Sequence, residues 1–123
     1  MKKLLLILFL APCAASAQKF FVEPTDKGAE KVIIDKLIHD NHHVTFKVDS
    51  ADYIIRPNVK RMSMGRARGG ILLINGTTGD VISQSKDLWG AAKLANGYDN
   101  PVADVLKKTS VKYLPKMIEA LIN

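Results

Sequence analysis

Apolar and polar residues follow two different spacings in the first half of the chain. In residues 28–39, apolar side chains recur three or four positions apart, which predicts an amphipathic helix. Thr25 or Asp26 is the expected N-cap of this helix, because both residue types can accept a hydrogen bond from a free backbone N–H. In residues 44–48 the apolar residues alternate with polar ones, which predicts a half-buried strand.

The carboxyl-terminal part of the chain returns to helical spacing. Asn100 is a good N-cap and Pro101 suits the first helical position, so a helix is expected to begin there. Pro115 lacks a backbone N–H and costs about 3 kcal/mol inside a helix, which predicts a break, followed by a last turn or two at 116–122. The expected buried stripe of the helix consists of Val102, Val105, Leu106, Thr109 and Tyr113.

Residues 53–60 have the clearest strand pattern. From Arg56 to Lys60 every second residue is polar or charged, so one face is expected to be buried and the other to be in water. Pro57 cannot donate a hydrogen bond to a neighbouring strand, which favours an edge strand or a bulge at that point. The buried face is expected to hold Tyr53, Ile55, Pro57 and Val59, and the wet face Arg56, Asn58 and Lys60.

A hairpin is predicted between the apolar runs 71–74 and 81–84. The linking residues 75–80, Asn-Gly-Thr-Thr-Gly-Asp, contain glycines that can adopt a positive φ at no steric cost. The glycine-rich residues 65–70 are expected to form a loop. They do not form a P-loop, because no Gly-Lys-Ser/Thr sequence follows them.

These elements predict an α+β fold. Residues 20–22 add one short strand, and residues 87–100 look irregular, so the expected order is β-α-β-β-β-β-α. Successive strands between two helices favour a two-layer sandwich. The prediction is a mainly antiparallel sheet of about five strands with two main helices on one face.

The first 17 residues have the features of a secretory signal peptide. Two lysines precede an apolar run at 4–11, and Ala-Ser-Ala ends at Ala17, where cleavage is expected. The alternative is a lipoprotein signal cut before Cys13, although Pro12 occupies a position where a small residue is usual. We therefore expect an exported protein, periplasmic after cleavage at Ala17 or associated with the outer membrane if Cys13 is lipidated.

Cleavage would leave residues 18–123 as a single envelope domain without cysteine. The full chain has a net charge of +6, and the signal peptide contains two lysines and no acid, so the domain carries +4. This mild excess is compatible with attraction to anionic envelope polymers. No nucleic-acid partner, cofactor or transmembrane span of the mature chain is expected.

A family resemblance follows from two motifs and the order of elements. "SADYII" (50–55), "GGILLINGTTGDVIS" (69–83) and a closing helix resemble the small α/β domain of bacterial envelope proteins. This group includes the amino-terminal domain of TolB, the CsgG-type secretion lipoproteins and the penicillin-binding-protein activator lipoproteins. The resemblance covers most of residues 19–122. It implies an interaction module of the cell envelope, with no family catalytic residue to transfer.

Basic and aromatic side chains provide the candidate binding site. The candidates are Trp89, Tyr98, Arg56, Lys60, Arg66 and Arg68. Guanidinium groups suit phosphate and carboxylate, and large aromatic residues are frequent in binding hot spots. The structural alternative is that the charges form a solvated strand face and that Trp89 closes one end of the core.

Three histidines form a weaker candidate site. His39, His42 and His43 are close enough in sequence to suggest a Zn²⁺ or Cu²⁺ site. However, the predicted helix ends among them, so their side chains need not converge. A cation near a helix C-terminus is favourable in itself, which gives His39 a purely structural role.

Three functions remain open from the sequence. The leading hypothesis is a non-enzymatic periplasmic or secreted interaction module, which binds an envelope protein through the sheet edge near Pro57 or through Trp89. The first alternative is a binder of anionic envelope polymer or lipid headgroups through the basic residues. The second alternative is a small metal-dependent enzyme that uses His39, His42 and His43.

Overall fold

The computed structural model of the protein describes residues 18–92 and 100–122, which contain both strands and helices. The strands are β1 (Lys19–Val22), β2 (His43–Val44), β3 (Tyr53–Met62), β4 (Arg66–Asn75), β5 (Val81–Gln84) and β6 (Leu88–Ala91). The helices are α1 (Lys31–His39), α2 (Pro101–Lys112) and α3 (Leu114–Ile122), with short 3-10 turns at Asp26–Gly28 and Val48–Ser50.

The six strands form one mixed sheet in the order β2-β1-β3-β4-β5, with β6 also paired to β4. β1 runs parallel to both of its neighbours, whereas β3, β4, β5 and β6 pair antiparallel. β5 and β6 follow one another along the same edge of β4. Ser85 bridges the gap between them, because its Oγ accepts from the Ile71 N–H at 2.9 Å and its own N–H donates to the Ile71 carbonyl at 3.0 Å.

The helices cover one face of the sheet, and the hydrophobic core lies between the two layers. α2 packs against β3, β4 and β6, and α1 and α3 lie beside α2. The largest fully buried side chains of the core include Phe20, Ile33, Leu37, Ile55, Ile71, Leu73, Leu106 and Leu114. The predicted α+β class and two-layer arrangement are confirmed, with a sixth strand and a parallel β1 as differences in detail. Within the described ranges, no helix has the length and apolar character needed to cross a bilayer.

The predictions for α2 and the β4–β5 hairpin are confirmed. Asn100 Oδ1 accepts from the Val102 N–H at 3.0 Å, and Pro101 is the first helical residue. α2 ends at Lys112, and the new helix places Pro115 in its first turn, where its missing N–H is tolerated. In the hairpin, Asn75 accepts from the backbone of residues 77 and 78 at 2.8 and 3.1 Å.

The edge position predicted for Pro57 is also confirmed. β1 pairs with β3 only as far as Ile55, whose carbonyl accepts from the Glu23 N–H at 2.9 Å. Backbone groups of alternate strand residues point to the same edge, so Pro57 faces the same edge as Ile55. No described strand continues along that edge, and the missing N–H of Pro57 therefore leaves no ladder bond unmade.

The strand predicted at residues 44–48 is shorter than expected. β2 pairs with only two residues of β1, and Phe46 and Val48 are 77% and 48% exposed. After β2, the Lys47 N–H bonds to Thr45 Oγ1 at 3.2 Å, which favours a local turn. An alternating pattern becomes a strand only where a neighbour covers its apolar side, and β1 is too short to do so.

The loop predicted at residues 65–70 is wrong, because all but the first of these residues belong to β4. A Cβ on Gly69 would lie 2.1 Å from the Asn58 carbonyl oxygen, and one on Gly70 would lie 2.2 Å from Ser85 Oγ. Neighbouring chain segments therefore lie too close to both glycines for a side chain, and these glycines do not mark a turn. The prediction that residues 87–100 are irregular is also wrong for Leu88–Ala91, which form β6. Residues 93–99 lie outside the described part of the chain.

The first helix begins later than predicted and without the predicted cap. Lys27 and Gly28 have positive φ values of 53° and 74°, which separate the 3-10 turn from α1. Neither Thr25 nor Asp26 caps α1 through its side chain. Instead, Glu30 reaches back, and its Oε1 accepts from the Thr25 N–H at 2.9 Å.

Candidate functional site

The sheet face opposite the helices carries most of the predicted binding residues. Lys60 lies opposite Arg68, and Arg68 lies opposite Trp89, so the three side chains form one row across β3, β4 and β6. Ala67 is fully buried towards the helices, and strand residues alternate in direction, so Arg66 and Arg68 point away from the helices. We call this surface the open face; its members are Arg56, Lys60, Met62, Arg66, Arg68 and Trp89.

An arginine and a tryptophan are stacked at the centre of this row. The guanidinium carbon of Arg68 lies 5.4 Å from the centroid of the Trp89 ring, which is a cation–π arrangement. Arg68 Nε is also 3.8 Å from Asp87 Oδ2. Trp89 is nevertheless 46% exposed, so this ring does not close an end of the core as the structural alternative supposed.

Two side chains of α2 form hydrogen bonds to the backbone of β6 from the helix side of the sheet. Asp104 Oδ2 accepts from the Ala91 N–H at 2.9 Å, and Lys108 Nζ donates to the Trp89 carbonyl at 3.0 Å. The two side chains also form an ion pair at 3.2 Å. This support was not predicted from the sequence. The spacing of four residues between an acid and a lysine on a helix was visible, but their backbone partners on β6 were not.

Arg56 shares the open face but lies at its far end. It pairs with Glu23, whose hydrogen bond and negative charge raise the pKa of the Arg56 guanidinium. Along β3 it is four residues from Lys60, which corresponds to about 13 Å. Arg56 is therefore separated from the Trp89 row and has its own counter-charge.

Lys60 and Arg66 are two further exposed cations near Trp89, in addition to Arg68. Arg66 lies opposite Met62 on β3 and Ala91 on β6, one row nearer the turn than Lys60. Within the described residues, neither side chain has a carboxylate within 4.0 Å. This end of the open face is accordingly electropositive.

Tyr98, the remaining binding candidate, lies outside the described residues.

The three histidine candidates are described, and each has a different environment. His39 Nδ1 is 3.2 Å from Asp40 Oδ1, and the His42 ring packs edge-on against Phe20 with centroids 5.6 Å apart. His43 pairs with Lys19 at the edge of the sheet. No group of three or more His, Cys, Asp or Glu side chains is placed to hold a metal ion within 18–92 and 100–122.

Asp40 is the carboxylate in this region whose ionisation is perturbed. Partial burial acts to raise its pKa, but hydrogen bonds from His39 and Lys36, together with their charges, hold that pKa below its ordinary value of 3.8. Lys36 Nζ lies 3.2 Å from Asp40 Oδ2. The carboxylate therefore stabilises the end of α1.

A shallow groove lies between α1 and α2, away from the open face. Its volume is about 410 Å³, near the lower end of small-molecule sites. It is lined by Val32, Asp35, Lys36, His39, Lys107 and Val111. His39 is the one sequence candidate that contributes to it.

No family model matches the chain, and no curated protein matches its sequence. Among the solved structures similar to the chain, two bacterial proteins share its fold. One is a protein described as a lipoprotein from Caulobacter crescentus CB15, with TM-score 0.55, 10% identity and coverage of 92% of this chain and 98% of that one. The other is a minor lipoprotein from Acinetobacter baumannii, with TM-score 0.51, 14% identity and coverage of 86% and 95%.

These two similarities concern the fold. The chain has an α+β architecture that is also found in these two bacterial lipoproteins. The three families named from the sequence resemblance are not confirmed by the comparisons.

Proposed function

We propose that residues 1–17 direct export and that residues 18–123 act in the bacterial envelope as a non-enzymatic module that binds a protein through the open face. One observation supports this most directly: the five described binding candidates all lie on the sheet face that the helices leave uncovered. The fold shared with two lipoproteins supports the envelope setting.

The Trp89–Arg68 pair has the properties of an anchor for a protein partner. Tryptophan and arginine are the residue types most enriched in hot spots, where they lie at the centre of a contact and are surrounded by a polar rim. Lys60 and Arg66 supply such a rim. Because Asp104 and Lys108 fix the backbone of β6 before binding, less conformational entropy is lost when a partner orders Trp89.

A second candidate function is binding of anionic envelope polymer or lipid headgroups. The observation that favours it is the cluster of Lys60, Arg66 and Arg68 on adjacent rows of one face. The metal-dependent enzyme has no comparable support, because His39, His42 and His43 have separate surroundings within the described residues.

A pull-down from envelope extract tests the leading function. The wild-type chain is compared with Trp89→Ala and with Phe46→Ala, which removes another exposed aromatic side chain distant from β6 in sequence. A specific partner is expected to bind wild type and Phe46→Ala and to be lost with Trp89→Ala. With the purified partner, the dissociation constant of Trp89→Ala should increase about 30-fold, the effect of a hot-spot residue.

Salt distinguishes the two candidates in the same assay. A contact anchored by Trp89 changes little between low and high ionic strength, whereas a polymer held by Lys60, Arg66 and Arg68 is released. If no partner depends on Trp89 at any salt concentration, the protein-binding proposal is wrong.

Amino-terminal sequencing of the exported product tests processing: Gln18 as first residue supports cleavage after Ala17, Cys13 indicates lipidation, and an intact Met1 contradicts both.

A further inference from the structure

The turn between β3 and β4 exposes apolar side chains. Met64 is 86% exposed and Met62, the last residue of β3, is 41% exposed. Met64 also has a positive φ of 62°, and Gly65 follows with 69°. A left-handed backbone disfavours a residue with a Cβ, and exposure of a thioether side chain to water contributes nothing to folding. Local stability therefore does not explain a methionine at this position.

The backbone of this turn is hydrogen-bonded to the rest of the domain, although the side chains of Met62 and Met64 are exposed. The Gly65 carbonyl accepts from the Ala92 N–H at 3.0 Å, so the chain that leaves β6 supports the turn. Ten cross-strand pairs between β3 and β4 extend from this turn into the sheet. We call Met62–Gly65 the hairpin tip.

Positively charged side chains lie next to the hairpin tip on the open face. Arg66 lies directly opposite Met62, and the Lys60–Arg68 row follows about 7 Å further along the strands. Trp89 lies in that second row. Arg61 points to the opposite face, where it pairs with Asp26 and donates to Asn100 Oδ1 at 3.1 Å. The open face therefore has an apolar end at the hairpin tip, followed by a positive zone that also contains the aromatic ring of Trp89.

We propose that the hairpin tip docks the domain on an anionic lipid surface, with Met64 entering the interface and Lys60, Arg66 and Arg68 contacting headgroup phosphates. This inference rests on the second candidate function and makes it specific. The order of groups matches a bilayer surface: apolar side chains reach the acyl region, cations meet the negative headgroups, and tryptophan prefers the headgroup level. A soluble polyanion would use the cations but would give no role to an exposed Met64.

Vesicle binding by the chain as purified from its host tests the inference. The probes are vesicles of phosphatidylcholine alone, vesicles of equal parts phosphatidylcholine and phosphatidylglycerol, and soluble polyglutamate. Binding is measured by co-sedimentation and by the fluorescence of Trp89, the only tryptophan in the chain. All variants keep the same amino-terminal segment, so differences between them report the substituted positions.

Three variants separate insertion from charge. Met64→Ser keeps every charge and is expected to bind anionic vesicles about tenfold more weakly, because the apolar insertion is lost. Met64→Leu restores an apolar tip and should restore binding. The double variant Lys60→Ala, Arg66→Ala is expected to bind about 25-fold more weakly, about fivefold for each cation. Phe46→Ser, which removes an exposed apolar side chain elsewhere, should bind like wild type, and thermal unfolding checks that each variant folds.

The outcomes also separate the inference from the function on which it rests. Preference for anionic vesicles, weakened by Met64→Ser and by high salt, supports docking of the tip. If Met64→Ser binds as tightly as wild type while the double variant does not, the insertion is refuted and charge-based binding stands. Binding to polyglutamate but to neither vesicle refutes the lipid surface and leaves the polymer. Equal binding to both vesicles, or no binding to any probe, refutes the inference, and the last result also removes the second candidate function.

Discussion

Replacing Asp104 with alanine removes the carboxylate that joins α2 to β6. Asp104 is only 6% exposed, and its Oδ2 accepts from the Ala91 N–H at 2.9 Å. In Asp104→Ala this partly buried N–H loses its acceptor, and Lys108 keeps only its bond to the Trp89 carbonyl. We expect β6 to be held less firmly. The substitution on α2 therefore affects Trp89, the proposed binding residue, through the backbone of β6.

The expected loss of stability follows from three contributions. A hydrogen bond to a charged group contributes about 1.5–3 kcal/mol. An acid in the first turn of a helix adds about 0.3–1 kcal/mol through the helix dipole. Alanine offsets roughly 0.5 kcal/mol of this through its higher helix propensity. The free energy of unfolding should therefore fall by about 1.3–3.5 kcal/mol, which for a domain of this size lowers Tm by roughly 5–28 °C.

Urea unfolding followed by tryptophan fluorescence measures this loss, since Trp89 is the only tryptophan and lies on β6. Hydrogen exchange at the Ala91 amide reports the bond itself. Asp104→Asn keeps an acceptor and should lose less, about 0.5–1.5 kcal/mol. Glu119→Ala, on an exposed site of α3, is the control. If Asp104→Ala unfolds within about 0.5 kcal/mol of wild type and exchange at Ala91 is unchanged, the support assigned to α2 is incorrect.

Three further changes test other parts of the fold. Gly90→Ala would place a Cβ 2.6 Å from Val105 Cγ2, so we expect urea unfolding to show a loss of about 1–3 kcal/mol, and an unchanged value would contradict the close approach of β6 and α2. Asn100→Ala removes the cap of α2 and should cost about 1 kcal/mol by the same assay, with Asn100→Asp as the variant that retains it. The pKa of Asp40 is below its ordinary 3.8, so its contribution is complete above that pH and is lost as the pH falls below it. Asp40→Asn should therefore lose about 0.5 kcal/mol less than wild type on acidification from neutral pH, and equal losses would contradict the role of its partners.

The candidate site was predictable in part. Alternation along β3 correctly placed Arg56 and Lys60 on one face, because the direction of strand side chains depends only on position along the strand. Arg66 and Arg68 were assigned to a loop, since neighbouring glycines resemble turn residues, whereas both belong to β4. The contact of Trp89 with Arg68 required the pairing of β4 with β6, which no local pattern contains.

By itself, the sequence determined the features that depend on a few consecutive residues. The start of α2 at Asn100, the hairpin turn at 75–80 and the open edge at Pro57 follow from backbone sterics and short-range hydrogen bonds, which are similar in any fold. The tertiary structure alone decided which strands are neighbours. That choice shortened β2, turned Gly69 and Gly70 into strand residues and brought Trp89 beside the cations, because each of these outcomes depends on contacts between residues that are distant in the chain.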